Sequence, residues 1–231
     1  MILSNGMLLF EETYYDTELR VVGYVKAEGV VEIPSSFKGR PVTGIAASAF
    51  NSCKTITSVI IPDGVVDIGD KAFLECENLT SVVMSDSVTK IGERAFYDCT
   101  CLKDINFSKS LDTIRDLAFY GCESLTSVTI PDCVMFIDDN AFHCCINLES
   151  VVIGKGVIHI GYGVFMHCHK LKSVTIIGDG IRIDKYVFFA CNKELVIHGE
   201  IGSYAEKYAK QEGFMFSSVL PEEVESENCI T

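Results

Sequence analysis

The sequence is poor in basic residues and lacks long apolar runs. Among its 231 residues, 19 are lysine or arginine and 32 are aspartate or glutamate, giving a formal net charge of -13. A charge of this sign repels phosphate backbones and anionic lipid surfaces. No apolar stretch approaches the roughly 20 residues that span a bilayer. We therefore expect neither nucleic-acid binding nor membrane insertion.

Export and catalytic motifs are also missing. The first twelve residues, MILSNGMLLFEE, lack a basic start, and Ser4, Asn5 and Gly6 interrupt their apolar stretch, so they do not resemble a secretory signal. The sequence contains no G-x-S-x-G element, no glycine-rich phosphate loop and no C-x-x-C pair. These absences favour a protein that is not an enzyme, and we predict no catalytic, cofactor-binding or metal-binding residues.

What the sequence does contain is a repeat of 23 residues. The segment IGERAFYDCTCLKDINF, residues 91–107, returns along the chain with phenylalanine and cysteine always in the same phase. Self-similarity at this interval is typical of a solenoid, in which stacked coils bury each residue against its equivalents above and below. We predict that the phenylalanines stack about 4.5–7 Å apart and that each cysteine is a compact filler donating its S–H to a backbone carbonyl. The two ladders are Phe50, Phe73, Phe96, Phe119, Phe142, Phe165 and Phe188, and Cys53, Cys76, Cys99, Cys122, Cys145, Cys168 and Cys191.

Each repeat divides into a strand and a turn. The stretch L-x-x-V-x-I, as in Leu125, Val128 and Ile130, is rich in β-branched residues and ends in period-two alternation. It predicts a short strand that pairs in parallel with its neighbours into one continuous sheet. The stretch I-G-x-x-A-F-x-x-C has apolar residues at i, i+4, i+5 and i+8, which predicts a tight helical turn on the opposite face.

The two ends of the chain depart from the repeat and are predicted to cap it. Residues 1–44 contain the strand-like runs MLLFEE, ELRVVGYV and VVEIP and are interpreted as N-terminal capping strands. Residues 45–198 form the repeat array. Residues 199–216 are predicted to form a C-terminal capping helix, with Ser203 and Glu206 as a capping box and Gly213 as its stop signal. Residues 217–231 are glutamate-rich and predict a solvated acidic tail.

The unit L-x-x-V-x-I-P-x-x-V-x-x-I-G-x-x-A-F-x-x-C-x-x resembles the BspA-like class of leucine-rich repeats over about residues 31–214. The closing segment GSYAEKYAKQEGF is also similar to the helix that often ends such arrays. The resemblance implies an α/β solenoid, a right-handed leucine-rich-repeat superhelix with a parallel β-sheet on one face and short helical turns on the other. It further implies a bacterial or protozoan surface protein whose curved array binds proteins of a host or neighbouring cell.

Cysteine and histidine side chains suggest two other kinds of site. Ladder cysteines have parallel Cβ vectors, whereas a disulfide needs a dihedral near 90 degrees, so we expect no bridges between them. Cysteines outside the ladder are the predicted reactive thiols. A soft metal could use the His and Cys residues of two consecutive coils, but two of these are inward ladder members, so we expect no native metal. The off-ladder thiols are Cys101, Cys133, Cys144 and Cys229. The residues considered as metal ligands are His143, Cys144, Cys145, His167, Cys168 and His169.

The outward face of the predicted sheet is the candidate binding surface. Its expected exposed positions, which run from Ser58 and Ile60 to Ser173 and Thr175, carry mainly small hydroxyl and β-branched side chains. They could be no more than good strand formers. Repeat arrays, however, present broad sheets for recognition. The residues predicted to bind a partner are Lys103, Asp104, Asn106, Thr126, Ser127, Thr129, Glu149 and Lys172.

The resulting functional prediction is a non-enzymatic module for protein recognition or adhesion. The family resemblance implies that it works at the cell surface or after secretion. A cytosolic scaffold or structural repeat protein is the alternative, which the N-terminal sequence and the many unpaired thiols favour. The protein ligand and the oligomeric state are not indicated by the sequence.

Overall fold

The computed structural model describes residues 2–13 and 17–218, which form a solenoid of stacked coils. A coil of the array contains a main strand, then a two-residue strand, then a run of turns. The strands are β1 (Ile2–Ser4), β2 (Leu8–Glu12), β3 (Leu19–Tyr24), β4 (Gly29–Glu32), β5 (Ser36–Phe37), β6 (Arg40–Ile45), β7 (Ile56–Ile61), β8 (Asp67–Ile68), β9 (Ser81–Met84), β10 (Lys90–Ile91), β11 (Asp104–Asn106), β12 (Thr113–Ile114), β13 (Ser127–Ile130), β14 (Phe136–Ile137), β15 (Ser150–Ile153), β16 (His159–Ile160), β17 (Ser173–Ile176), β18 (Arg182–Ile183), β19 (Val196–His198) and β20 (Met215–Ser217), and the helix is α1 (Tyr204–Glu212).

The main strands pair in parallel with the register of the repeat, as predicted. Val82, for example, pairs with Val59 on one side and with Ile105 on the other. The strands form two sheets, in the orders β11-β9-β7-β4 and β13-β15-β17-β19-β20. The single continuous sheet predicted from the sequence is therefore wrong.

The interruption lies where the inward side chains are largest. In β11 and just after it, Ile105 and Phe107 take the positions held in the next coil by Val128 and Ile130. The Phe107 ring is buried and packs edge-on against Phe119, with centroids 5.6 Å apart. Larger side chains in a packed core displace the backbone around them. The loss of pairing between β11 and β13 thus coincides with this difference in volume.

A third sheet, not predicted from the sequence, runs along the whole array. Its core is the row of short strands β6, β8, β10, β12, β14, β16 and β18, which contain the isoleucine column of the repeat. Ile91, for example, pairs in parallel with Ile68 and Ile114. At the N-terminal end, β1, β2 and β3 extend this sheet, with antiparallel pairing between β1 and β2 and between β2 and β3. The predicted N-terminal cap thus contributes to two sheets. Strands β1 to β3 extend this one, and β4 pairs with β7 in the first sheet of main strands.

The turn segments are not helices, which corrects the prediction of short helical turns. In the coil from Gly69 to Cys76, the N–H of Ala72 donates to the Gly69 carbonyl at 3.2 Å. The next N–H, from Phe73, donates instead to Ala95 of the following coil at 2.8 Å. Successive N–H groups can thus donate in turn to their own coil and to the next one. This is possible because residues such as Lys71, with φ of 58°, adopt the left-handed conformation, which interrupts a helix. Within the described residues α1 is the only helix. Right-handed winding stays a prediction.

Two ladders of side chains fill the core. The seven phenylalanine rings from Phe50 to Phe188 stack coil on coil, with centroids 5.0–5.7 Å apart and planes within 14° of parallel. From Cys76 to Cys191, each ladder cysteine donates its S–H to the carbonyl of the phenylalanine in the preceding coil, at sulfur–oxygen distances of 3.0–3.3 Å. The thiols thus satisfy main-chain acceptors as well as filling space.

Helix α1 closes the C-terminal end. Ser203 is its N-cap and accepts a hydrogen bond from the Glu206 N–H at 3.5 Å, and Gly213 ends it with φ of 79°. A second hydrogen bond caps the same end of the helix: the Tyr204 N–H donates to the Asp179 carboxylate, in the loop before β18, at 2.9 Å. The helix is thus shorter than the predicted range 199–216. Strand β20 pairs with β19, so residues 215–217 belong to a strand. Residues 219–231 of the predicted acidic tail lie outside the described residues. No helix in the described ranges is long and apolar enough to cross a bilayer.

Candidate binding surface

The outward side of the main strands, called the strand face here, alternates with the core along each strand. In β13, Val128 and Ile130 are buried whereas Ser127 and Thr129 are exposed. This is the expected consequence of side chains pointing to opposite faces of a strand. Because equivalent strands are in register, equivalent residues from successive coils form rows across the face.

All eight residues predicted to bind a partner are exposed on or beside these strands. Lys103, Asp104 and Asn106 lie at the end of the first sheet, and the other five lie on the second sheet. The break between β11 and β13 separates the two groups. Their role in binding stays a prediction.

One residue expected on the exposed face is buried. Thr175 in β17 is 1% exposed, contrary to the prediction. It lies between Val152 of β15 and His198 of β19 in the ladder. Side chains directly opposite each other on one face of a sheet are close enough to touch, and both neighbours are larger than threonine. Flanked by these two side chains, Thr175 is not part of the accessible strand face.

An apolar strip crosses the first sheet. Ile60 and Val83 are adjacent in the ladder, and Val83 in turn pairs with Asn106. Ile60 is 37% and Val83 is 45% exposed. Val30, on β4 at the same face, is 56% exposed and was not among the expected positions. Val30 lies in the capping segment, before the 23-residue array begins, so the repeat pattern does not predict its exposure.

The polar groups beside the strip are partly satisfied within the protein. The Ser81 hydroxyl donates to the Ser58 hydroxyl at 2.9 Å, and the Thr80 hydroxyl donates to the Thr57 carbonyl at 2.8 Å. Lys103, by contrast, forms no ion pair with any described residue. Thr57, Thr80 and Lys103 are equivalent residues of successive coils, so the row beside the strip passes from threonine hydroxyls to an available charge.

The second sheet carries one ion pair on its face. The Lys172 ammonium donates to the Glu149 carboxylate at 2.9 Å, and this hydrogen bond lowers the pKa of Glu149. Both side chains are about half exposed, so the pair adds little to stability. A partner with complementary charges could exchange either member, which makes the pair suited to specificity rather than to folding.

The histidines and cysteines of the turn segments do not converge on a metal site. The His143 ring contacts the Tyr120 and His167 rings in tilted arrangements, with centroids 5.0 and 5.4 Å apart. Burial lowers the pKa of His143. Among residues 2–13 and 17–218, no group of three or more His, Cys, Asp or Glu side chains could hold a metal ion. The rings of Tyr120, His143 and His167 instead pack against one another along successive turn segments.

The ten described cysteines are all free thiols. Of the predicted reactive thiols, Cys101, Cys133 and Cys144 are partly exposed, and Cys229 lies outside the described residues. Burial raises the pKa of Cys133 and of Cys144, which reduces the fraction of reactive thiolate at both positions.

Comparison with known proteins agrees with the repeat geometry. The family model for the BspA type leucine rich repeat region matches six copies, over residues 31–139 and 66–196. The chain belongs to this family. No curated protein matches its sequence.

Solved structures of bacterial leucine-rich-repeat proteins share the fold. A T. pallidum leucine rich repeat protein is 25% identical, with a TM-score of 0.73, and the match covers 96% of this chain and 100% of that one. A leucine rich cell surface protein from Faecalibacterium prausnitzii is 30% identical, with a TM-score of 0.74 over 86% of this chain and 54% of that one. A Bacteroides ovatus protein is 28% identical, with a TM-score of 0.69 over 87% of this chain and 56% of that one. The chain thus spans about half the length of the last two.

Proposed function

We propose that this BspA-type chain is a non-enzymatic module that recognises or adheres to a protein partner through its strand face. The observation that carries the proposal is the apolar strip of Ile60 and Val83, bordered by Asn106 and by the unpaired charges of Lys103 and Asp104. An apolar centre with a polar rim is the usual composition of a protein interface. The two parallel sheets of main strands offer the extended area that repeat proteins use for recognition.

The proposed location is the cell surface or the exterior. It is supported by the similarity to the Faecalibacterium prausnitzii protein, which is described as a cell surface protein. A cytosolic scaffold is the second candidate, and it is favoured by the ten free thiols, because oxidising compartments promote disulfides. Labelling of intact cells with a membrane-impermeant biotin reagent distinguishes the two: a surface protein is labelled without lysis, whereas a cytosolic scaffold is labelled only after it.

The binding surface can be tested with two matched triple variants. In the first, Lys103, Asp104 and Asn106 are replaced with serine, which removes one cation, one anion and one amide from the strand face. The control variant makes the same chemical changes on exposed turn segments, at Asn51, Lys71 and Glu75.

A partner is first captured with immobilised full-length protein, and its dissociation constant is then measured against each variant. The strand-face variant is expected to weaken binding at least about tenfold, since interfaces lose about 1–3 kcal/mol when central contacts are removed. The control should bind like the wild type. Equal affinity of both variants for every captured partner would show that the strand face is not the binding surface.

A further inference from the structure

A pocket of about 680 Å³ lies where the last coil meets the closing helix. One wall is formed by residues 183–190 and the other by residues of α1 together with Phe214. Its volume falls in the roughly 300–1,000 Å³ range of small-ligand sites. None of the eight predicted partner-binding residues contributes to it, so this pocket is independent of the strand face.

Aromatic rings dominate the opening of the pocket. Tyr186 and Phe189 are each 53% exposed, and their rings meet edge to face with centroids 5.6 Å apart. Tyr204, on the opposite wall, is partly buried and stacks on Tyr208 at 6.4 Å. Large aromatic side chains are costly to leave in water unless they contact something. Three rings around one cavity form platforms for a ligand with flat, C–H-rich faces.

Main-chain donors with no acceptor lie along the same wall. The N–H groups of Tyr186, Phe188 and Ala190 have no hydrogen-bond partner anywhere in the described part of the chain. In each earlier coil of the array the equivalent groups donate to the turn segment of the next coil. Within residues 17–218 no turn segment follows residues 183–190, and the pocket lies against their N–H groups. The three equivalent hydrogen bonds of the preceding coil run from Gly163 to Lys185 at 3.3 Å, from Phe165 to Val187 at 3.0 Å and from His167 to Phe189 at 2.9 Å.

Acceptors are present beside these donors. The Glu212 carboxylate and the Gln211 amide line the helix wall, and Asp184 lines the other wall. Burial opposes ionisation of Asp184, but hydrogen bonds from His159 and Arg182 outweigh it and lower the Asp184 pKa, so it is a charged acceptor. The Asp184 charge is balanced by the Arg182 guanidinium at 3.0 Å. The pocket thus combines donors and acceptors without a strong excess of either charge.

From this arrangement we infer that the pocket binds a neutral oligosaccharide. Sugar hydroxyls both donate and accept hydrogen bonds, so they can satisfy the free N–H groups and the carboxylates together. The C–H faces of the sugar rings suit the platforms of Tyr186, Phe189 and Tyr204. A cation would meet Lys185 and three unsatisfied N–H donors, and an anion would meet Asp184 and Glu212. An uncharged hydroxyl-rich ligand is the class that meets none of these conflicts.

The test uses the full chain on an array of neutral oligosaccharides, followed by calorimetric titration of the best ligand. Phe189→Ala and Tyr204→Ala are each expected to weaken binding about tenfold, because each removes one stacking platform. Phe136→Ala is the control, since Phe136 is an exposed aromatic residue, 36% accessible, on β14 outside the pocket. The Phe136→Ala variant and the strand-face triple variant should both bind the sugar with the affinity of the wild type.

Salt and charged probes separate the ligand classes. The dissociation constant for a neutral sugar should be the same in 50 mM and 500 mM sodium chloride to within about twofold, because no net charge is exchanged. Arginine methyl ester and a sialylated oligosaccharide serve as cationic and anionic probes. The inference is overturned if no neutral sugar binds with a dissociation constant below about 1 mM. It is equally overturned if both pocket variants bind like the wild type, or if a charged probe binds more tightly.

Discussion

Replacing Phe119 with alanine tests the central physical claim of the fold, that equivalent side chains stacked coil on coil hold the array together. Phe119 is fully buried in the middle of the ladder. Its ring stacks on Phe96 at 5.2 Å and on Phe142 at 5.1 Å, and Phe107 meets it edge-on at 5.6 Å. Among the other described ladder rings, only Phe188 at the C-terminal end has an edge-on phenylalanine beside it, Phe214 at 5.8 Å.

The magnitude follows from these contacts. Burying a phenylalanine side chain contributes about 1.5–3 kcal/mol by removal from water. Each aromatic contact adds about 0.5–1.5 kcal/mol beyond that. The coil of Phe119 is held to both neighbours by the pairing of β12 with β10 and β14 and by the turn hydrogen bonds. It therefore cannot collapse fully into the space, and a cavity remains. We expect Phe119→Ala to lower the free energy of unfolding by about 3–5 kcal/mol.

Urea denaturation followed by far-UV circular dichroism measures this loss, with tyrosine fluorescence as a second probe. Repeat arrays can unfold in parts, so the two probes must give the same midpoint before a single free energy is derived. The control is Phe189→Ala, because Phe189 is 53% exposed and should cost less than about 0.5–1 kcal/mol. Similar losses for the two variants, or a loss below about 1 kcal/mol for Phe119→Ala, would refute the stacking argument.

Two further predictions concern the thiols and the closing helix. At pH 8, iodoacetamide should modify the partly exposed Cys101 in native protein and leave Cys122 untouched. The reason is that burial raises the Cys122 pKa well above its usual value. Modification of Cys122 in native protein at the rate seen in urea would contradict its place in the core. Hydrogen bonds from the N–H groups of Tyr204 and Gly180 lower the pKa of Asp179, so its stabilisation is complete above the unfolded-state pKa of about 4 and is lost as pH falls through the lower folded value. Thermal melts between pH 7 and pH 2 should therefore show a smaller acid-induced decrease in Tm for Asp179→Asn than for the wild type, and identical pH profiles would exclude the proposed cap.

The strand face was largely predictable because it depends on alternation within short segments. Ser127, Thr129 and Asn106 are exposed as expected, since each follows the in-out pattern of its own strand. Thr175 follows the same pattern and is nevertheless buried, because its exposure depends on the residues beside it in β15 and β19. Burial on a sheet face is a property of neighbouring strands, and a single repeat does not record it.

By itself, the sequence determined the 23-residue register, the identity of the two core ladders, and the limits of the closing helix at Ser203 and Gly213. These features are local or periodic, so a residue's place in the repeat is enough to assign its environment. Only the tertiary structure decided whether the turn N–H groups bond within their own coil or to the next one, where Phe107 interrupts the sheet, and which groups the last coil leaves unpaired. Each of these outcomes depends on atoms contributed by a different coil or by α1, and the spacing of residues along the chain carries no information about them.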